Sequence, residues 1–124
     1  MIEEFAVTSN MVKQHMKRGE KLFFVHVRHH TDWDTGLLQA HNSIRVPDDE
    51  LEKHLDEIPA DCTVIVYSGC PGDTPGIEAA RVLQRHVHKD VHPLIGGFSS
   101  YLKEGLPVRE IDPDRSVMRK LMLL

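Results

Sequence analysis

The sequence predicts an α/β fold: a central, mostly parallel sheet with helices on both faces, plus a C-terminal helix. Three observations point to it. The apolar run 22–27 is continuous rather than alternating, which suits a strand buried on both faces of a parallel sheet, and a short apolar run at 63–67 and a further strand at 91–95 follow it. The segments around them place apolar residues three and four apart, the spacing of an amphipathic helix. Strands and helices also alternate along the chain, and that alternation lays helices over both faces of one sheet.

The elements follow in order. Thr8-Ser-Asn offers a cap to a first helix whose Met11, Val12, His15 and Met16 share one face, and Gly19 stops it. The run 22–27, rich in aromatic and β-branched residues, is the first long strand. A loop carrying Trp33 and Gly36 leads to a short strand at 44–46 and to Pro47. Asp48 can then cap a helix that buries Leu51, Leu55 and Ile58 at i, i+4 and i+7, and Pro59 ends it. The strand 63–67 empties into the loop Ser68-Gly69-Cys70-Pro71-Gly72-Asp73-Thr74-Pro75-Gly76. A helix from about 77 to 88 follows, with Ile77, Ala80, Leu83 and Val87 facing inward. The strand 91–95, the permissive pair Gly96-Gly97, a short helix over 98–104 and a capping Gly105 complete the alternation. Asp112-Pro113 then opens a terminal helix in which Val117, Leu121 and Leu124 repeat at i, i+4 and i+7 beside Met118 and Met122. That stripe either packs on the parent domain or serves as a homodimer contact.

With 124 residues and 40% hydrophobic content, the chain suits one domain over 1–124, its core at about 8–108 and a helical extension at about 112–124. A formal charge of -4 offers no basic field for nucleic acid. The start Met1-Ile-Glu-Glu-Phe is acidic where a signal peptide is basic, and no apolar run reaches the roughly 18 residues a membrane span needs. A cytoplasmic protein without membrane contact is expected. Cys62 and Cys70 stand at opposite ends of one strand, beyond the roughly 7 Å Cα limit of a disulfide. Cys62 reads as a small packing residue at the strand start.

A strand that empties into a loop of small residues just ahead of a helix is where an α/β protein builds an anion or thiolate site. The residues here go further. Val25-His-Val-Arg28, with Trp33-Asp-Thr-Gly36-Leu-Leu-Gln-Ala40 after it, is similar to the Asp-Val-Arg and Gly-His-Ile-x-Gly-Ala segments of the rhodanese (sulfurtransferase) family. Val64-Ile-Val-Tyr67-Ser68-Gly-Cys70-Pro71, with Glu78-Ala-Ala-Arg-Val-Leu83 behind it, resembles the active-site strand, loop and helix of the subgroup whose loop reads Cys-x-Cys-Pro. Pro93-Leu-Ile-Gly-Gly-Phe-Ser-Ser-Tyr101-Leu-Lys-Glu-Gly-Leu-Pro-Val108 resembles the family's Leu-x-Gly-Gly-x-x-x-Trp-x-x-x-Gly-x-Pro-Val ending. His26 replaces an acidic residue, Leu37 a histidine and Tyr101 a tryptophan. At the nucleophile, Ser68 stands where the family carries its cysteine.

The resemblance implies a sulfurtransferase in which a thiolate takes sulfur from thiosulfate, holds it as a persulfide and passes it to a thiol or cyanide. A serine hydroxyl cannot form a persulfide, so Cys70 is the candidate nucleophile, and Ser68 marks the family position. Gly69, Gly72, Asp73, Thr74 and Gly76 form the candidate anion-binding loop, and Arg28 is a supporting residue that positions loops. A loop that opens a helix lowers a thiol's pKa. Against reactivity, Pro71 and Pro75 lack backbone donors, Asp73 repels an anion, and the loop holds no Arg or Lys. The alternative is therefore a catalytically silent binding or regulatory module on the same fold. Phosphatase chemistry needs Cys-x5-Arg, and Gly76 stands at that arginine position. His29-His30 and His86-x-His88 lack zinc spacing, so no metal and no cofactor are expected. His26, inside an apolar strand, is read as a core residue. The expected partners are a small sulfur-containing anion and a thiol or persulfide acceptor.

Overall fold

The computed structural model describes residues 4–28, 38–59, 61–68, 73–86 and 90–110. The predicted elements centred on Trp33, Gly36 and residues 112–124 lie outside these ranges, as do His29, His30, Val87, His88, Gly69, Cys70, Pro71 and Gly72.

Helix α1 (Ser9–Lys17) begins where Thr8 accepts a hydrogen bond from the Met11 N–H at 3.2 Å, so the expected cap is the cap found. Strand β1 (Leu22–Arg28) follows, then β2 (Leu38–Ala40), β3 (Ser43–Pro47), a 3-10 helix (Leu51–Glu57) and β4 (Thr63–Ser68). Helix α2 (Thr74–His86), β5 (Val91–Pro93), α3 (Gly97–Lys103) and β6 (Val108–Glu110) complete the described chain. Four strands form a parallel sheet in the order β3-β1-β4-β5, with Val25 opposite Val66 at its centre. This is the parallel sheet that the apolar runs predict.

The period of two along each strand divides the core into two layers. Phe23, Val25 and Val27 of β1 and Val64 and Val66 of β4 meet Ala79, Ala80 and Leu83 of α2 and Leu51 of the 3-10 helix. Leu22 and Phe24 of β1 and Ile65 and Tyr67 of β4 face the other way, onto Val12 of α1, Tyr101 of α3 and Ala40 of β2. Burying each such Val, Leu, Ile or Phe contributes about 1.5–3 kcal/mol.

Several elements depart from expectation, each for a physical reason. Asp48 does not cap the segment after β3. Its N–H bonds to the Arg28 carbonyl at 2.8 Å, and the 3-10 helix begins only at Leu51 behind Glu50, which makes no side-chain cap. Pro59 holds Ile58 in an extended conformation (φ -98°, ψ 119°) and ends the segment as expected, but its seven residues form a 3-10 helix instead of an α-helix. Helix α2 starts at Thr74 rather than near 77: the Asp73 carbonyl accepts the Ile77 N–H at 3.0 Å, and Pro75 sits in the first turn, where no N–H is needed. The buried face of α2 is accordingly Gly76, Ala79, Ala80 and Leu83, with Ile77 only partly covered. Strand β5 ends at Pro93, and Leu94 pairs instead with Val7 in a parallel bridge. An antiparallel ribbon joins β2 to β6, with Gln39 opposite Arg109. Three residues are too few to show a period in sequence.

Candidate active site

Parallel strands present their carboxyl ends on one edge, and ligands bind there where successive connections diverge to opposite sides. In the order β3-β1-β4-β5, the chain leaves β1 toward β3 and leaves β4 toward β5, so the divergence falls between β1 and β4. Arg28 ends β1 and Ser68 ends β4, with Val27 directly opposite Ser68. Arg28 and Ser68 therefore lie at the switch point of the sheet.

Ser68 is the last residue of β4 and is 4% exposed. Two glycines let neighbouring backbone close around it. Gly97, at φ +58°, opens α3 so near β4 that a Cβ there would lie 2.7 Å from the Ser68 carbonyl oxygen. Gly76, in the first turn of α2, approaches the other side, its notional Cβ 3.8 Å from the Ser68 nitrogen. Ser68 is thus wedged between the starts of α2 and α3. The next residues, Gly69 to Gly72 with Cys70, lie outside the described structure.

Asp73 has a role that sequence reasoning missed. One of its carboxylate oxygens accepts the Gly96 N–H at 2.9 Å, which ties the start of α2 to the turn after β5. The bond crosses 23 residues of chain; the sole cue in sequence was that Gly96-Gly97 is conformationally free. Thr74 and Gly76, predicted as loop residues, belong to the first turn of α2. Arg28 is half-buried at the end of β1 and its carbonyl receives Asp48 N–H, so its backbone fixes the exit of β3.

An aromatic stack is built around Tyr67, the residue before Ser68. The Tyr67 ring sits 4.8 Å from His26 and 5.3 Å from Phe98, and Phe98 sits 5.7 Å from Tyr101. His26 is 4% exposed, the core position expected of it. The Tyr67 hydroxyl accepts the Ala40 N–H at 3.0 Å, and the Tyr101 hydroxyl donates to the Pro107 carbonyl. Burial pushes the Tyr67 phenol far above its ordinary value, against the opposing pull of the Ala40 hydrogen bond. Burial likewise pushes Tyr101 up to about 12. Both phenols are neutral at pH 7 and serve as buried hydrogen-bonding groups of the core rather than as bases.

The remaining expectations concern thiols, metals and membranes. Cys62 is partly buried against the core, its thiol directed at the Pro59 carbonyl at 3.7 Å. Burial and then the Asp61 charge push that thiol up, with Lys21 opposing, so it is a poor nucleophile at neutral pH. Among the described residues, no group of three or more His, Cys, Asp or Glu side chains is placed to hold a metal ion. His86 pairs with Glu52 at 3.4 Å. No helix of the described residues is long and apolar enough to cross a membrane.

Comparison with known proteins bears on this geometry. The Rhodanese-like domain family matches residues 8–104. Among solved structures, the rhodanese-like domain of an Anabaena protein is similar at a TM-score of 0.69 and 18% identity, over 87% of this chain and 80% of that one. A full-length protein from Lactobacillus plantarum matches at 0.68 and 20% identity, over 86% and 88% of the two chains. A rhodanese-related protein from Thermoplasma volcanium matches at 0.65 and 19% identity, over 86% and 98%. No curated protein matched. The chain belongs to the rhodanese-like domain family.

Proposed function

We propose that this rhodanese-like domain transfers sulfane sulfur through Cys70, with a small sulfur-containing anion as donor and a thiol or persulfide as acceptor. The observation that carries the reading is the place of the loop: it leaves β4 at the switch point of the sheet, directly after a buried Ser68, and Cys70 is the thiol within it. In the proposed cycle the Cys70 thiolate attacks the outer sulfur of thiosulfate. A new S–S bond forms, the thiosulfate S–S bond breaks, and sulfite leaves with the electron pair. An acceptor thiolate or cyanide then attacks the outer sulfur of the persulfide, and the Cys70 thiolate is released. Each step is a displacement at sulfur, so no external oxidant or reductant is consumed.

One observation favours a silent binding module instead. The family nucleophile position holds a serine closed in by backbone, and the Asp73 carboxylate already occupies the Gly96 N–H that an anion could have used. Thiocyanate formation from thiosulfate and cyanide separates the two readings. The sulfur-transfer reading expects turnover by the natural chain and its loss in Cys70→Ser. Turnover that appears only after Ser68→Cys would mean that the scaffold is competent and the natural chain lacks the nucleophile.

A further inference from the structure

Asp73 stands just ahead of α2, and one of its carboxylate oxygens accepts the Gly96 N–H at 2.9 Å. That bond ties the carboxylate to the turn before α3, so its charge is held at the carboxyl edge of the sheet. Among the described residues, no Lys, Arg or His side chain pairs with it. The same edge carries more negative charge than positive. Arg28 ends β1, whereas Asp48 and Asp49 follow β3, and the Asp48 N–H bonds to the Arg28 carbonyl. Between Ser68 and Asp73 the chain reads Gly69-Cys70-Pro71-Gly72, which adds no Lys or Arg to offset Asp73.

Asp73 follows Cys70 by three residues, so their Cα atoms are at most about 11 Å apart whatever course the chain takes. A fixed charge acts over that range, because the screening length is about 10 Å at 0.1 M salt. A dianion approaching Cys70 meets twice the repulsion that a monoanion meets, and a neutral molecule meets none. We propose that the Asp73 carboxylate is a charge filter on the sulfur donor: it slows dianions such as thiosulfate and favours donors that carry one negative charge or none. The proposal rests on Cys70 as the reacting thiol. A thiosulfonate is the singly charged counterpart of thiosulfate. The Cys70 thiolate attacks its outer sulfur, a new S–S bond forms as the old one breaks, and a sulfinate leaves with the electron pair. The tether and the charge are separable, since a neutral amide oxygen also accepts the Gly96 N–H.

Alkylation of Cys70 by iodoacetate, an anion, and by iodoacetamide, its neutral analogue, measures the filter without requiring turnover. Both reagents consume the same thiolate, so the ratio of their rates, read by peptide mass spectrometry, cancels changes in thiol ionisation and in general access. Asp73→Asn is expected to raise the iodoacetate-to-iodoacetamide ratio at Cys70 about two- to fivefold at low salt. That gain shrinks at about 1 M salt, where the screening length is about 3 Å. Asp73→Glu keeps the charge and keeps the ratio of the natural chain. Cys62, just before β4, shows one ratio in all three proteins. With donors, Asp73→Asn raises kcat/KM for thiosulfate more than for benzenethiosulfonate. An unchanged ratio in Asp73→Asn, an equal rise in Asp73→Glu, or a Cys70 closed to both reagents overturns the filter. Its failure is distinct from failure of sulfur transfer: a chain that takes up no sulfur while its alkylation ratio responds to Asp73→Asn has the filter and lacks the transfer chemistry.

Discussion

At the scale of single residues, the site depends on how closely backbone can approach Ser68. Gly97 combines a positive φ with a Cβ position 2.7 Å from a carbonyl oxygen, so any side chain there meets strain and collision together. Gly97→Ala is expected to destabilise the fold by about 1–3 kcal/mol, read as a lower urea midpoint with an unchanged slope. Gly76→Ala is the internal control: its Cβ would meet backbone atoms at 3.7–3.8 Å, ordinary contact distance, and alanine is the better helix residue. That variant should be neutral or more stable by up to about 1 kcal/mol. Sequence could mark Gly96-Gly97 as a free backbone pair, but which carbonyl it approaches depends on a strand nearly thirty residues earlier.

At the scale of elements, the starts of α2 and α3 are held together by the Asp73 carboxylate on the Gly96 N–H. Asp73→Ala removes that acceptor and should cost about 1 kcal/mol, visible as a lower melting temperature. Asp73→Asn keeps an oxygen acceptor and should recover most of the loss. Thr8, Gly19 and the apolar face around Val12 made α1 readable, because capping and period are local properties. The same rules placed the start of α2 three residues late. Pro75 reads locally as a loop residue, yet the first turn of a helix accepts it. Leu51, Leu55 and Ile58 have helical spacing and Pro59 ends their segment as expected, but that spacing does not separate a 3-10 helix from an α-helix over seven residues. The β2–β6 ribbon is a long-range pairing of two three-residue strands, and nothing local announces it.

At the scale of the whole molecule, two buried phenols tie the stability of the fold to pH. The unfolded chain gives up its phenol protons near pH 10. Tyr101 holds its proton to about 12, and Tyr67 is displaced upward as well. Their contribution is therefore fully present below about pH 10 and is lost as pH rises through the folded values. The urea midpoint should fall steeply above about pH 10, and less steeply in Tyr101→Phe. The parallel sheet and its two-layer core were legible in sequence, since continuous apolar strands can be buried only between two sets of helices. The switch point between the carboxyl ends of β1 and β4 was not, because it depends on a strand order that no local pattern announces. Nor was the contact between the His92 ring and the Phe5 carbonyl, which exists only once the edge of the sheet is formed. The central claim is that sulfur chemistry on this fold has moved from the position of Ser68 to Cys70, and intact-mass and peptide mass spectrometry after incubation with thiosulfate tests it most directly. The account predicts one added sulfur atom, located on Cys70, removed by a thiol acceptor and absent from Cys70→Ser. No adduct at any pH up to about 9, where most thiols ionise, or an adduct confined to Cys62, would contradict it.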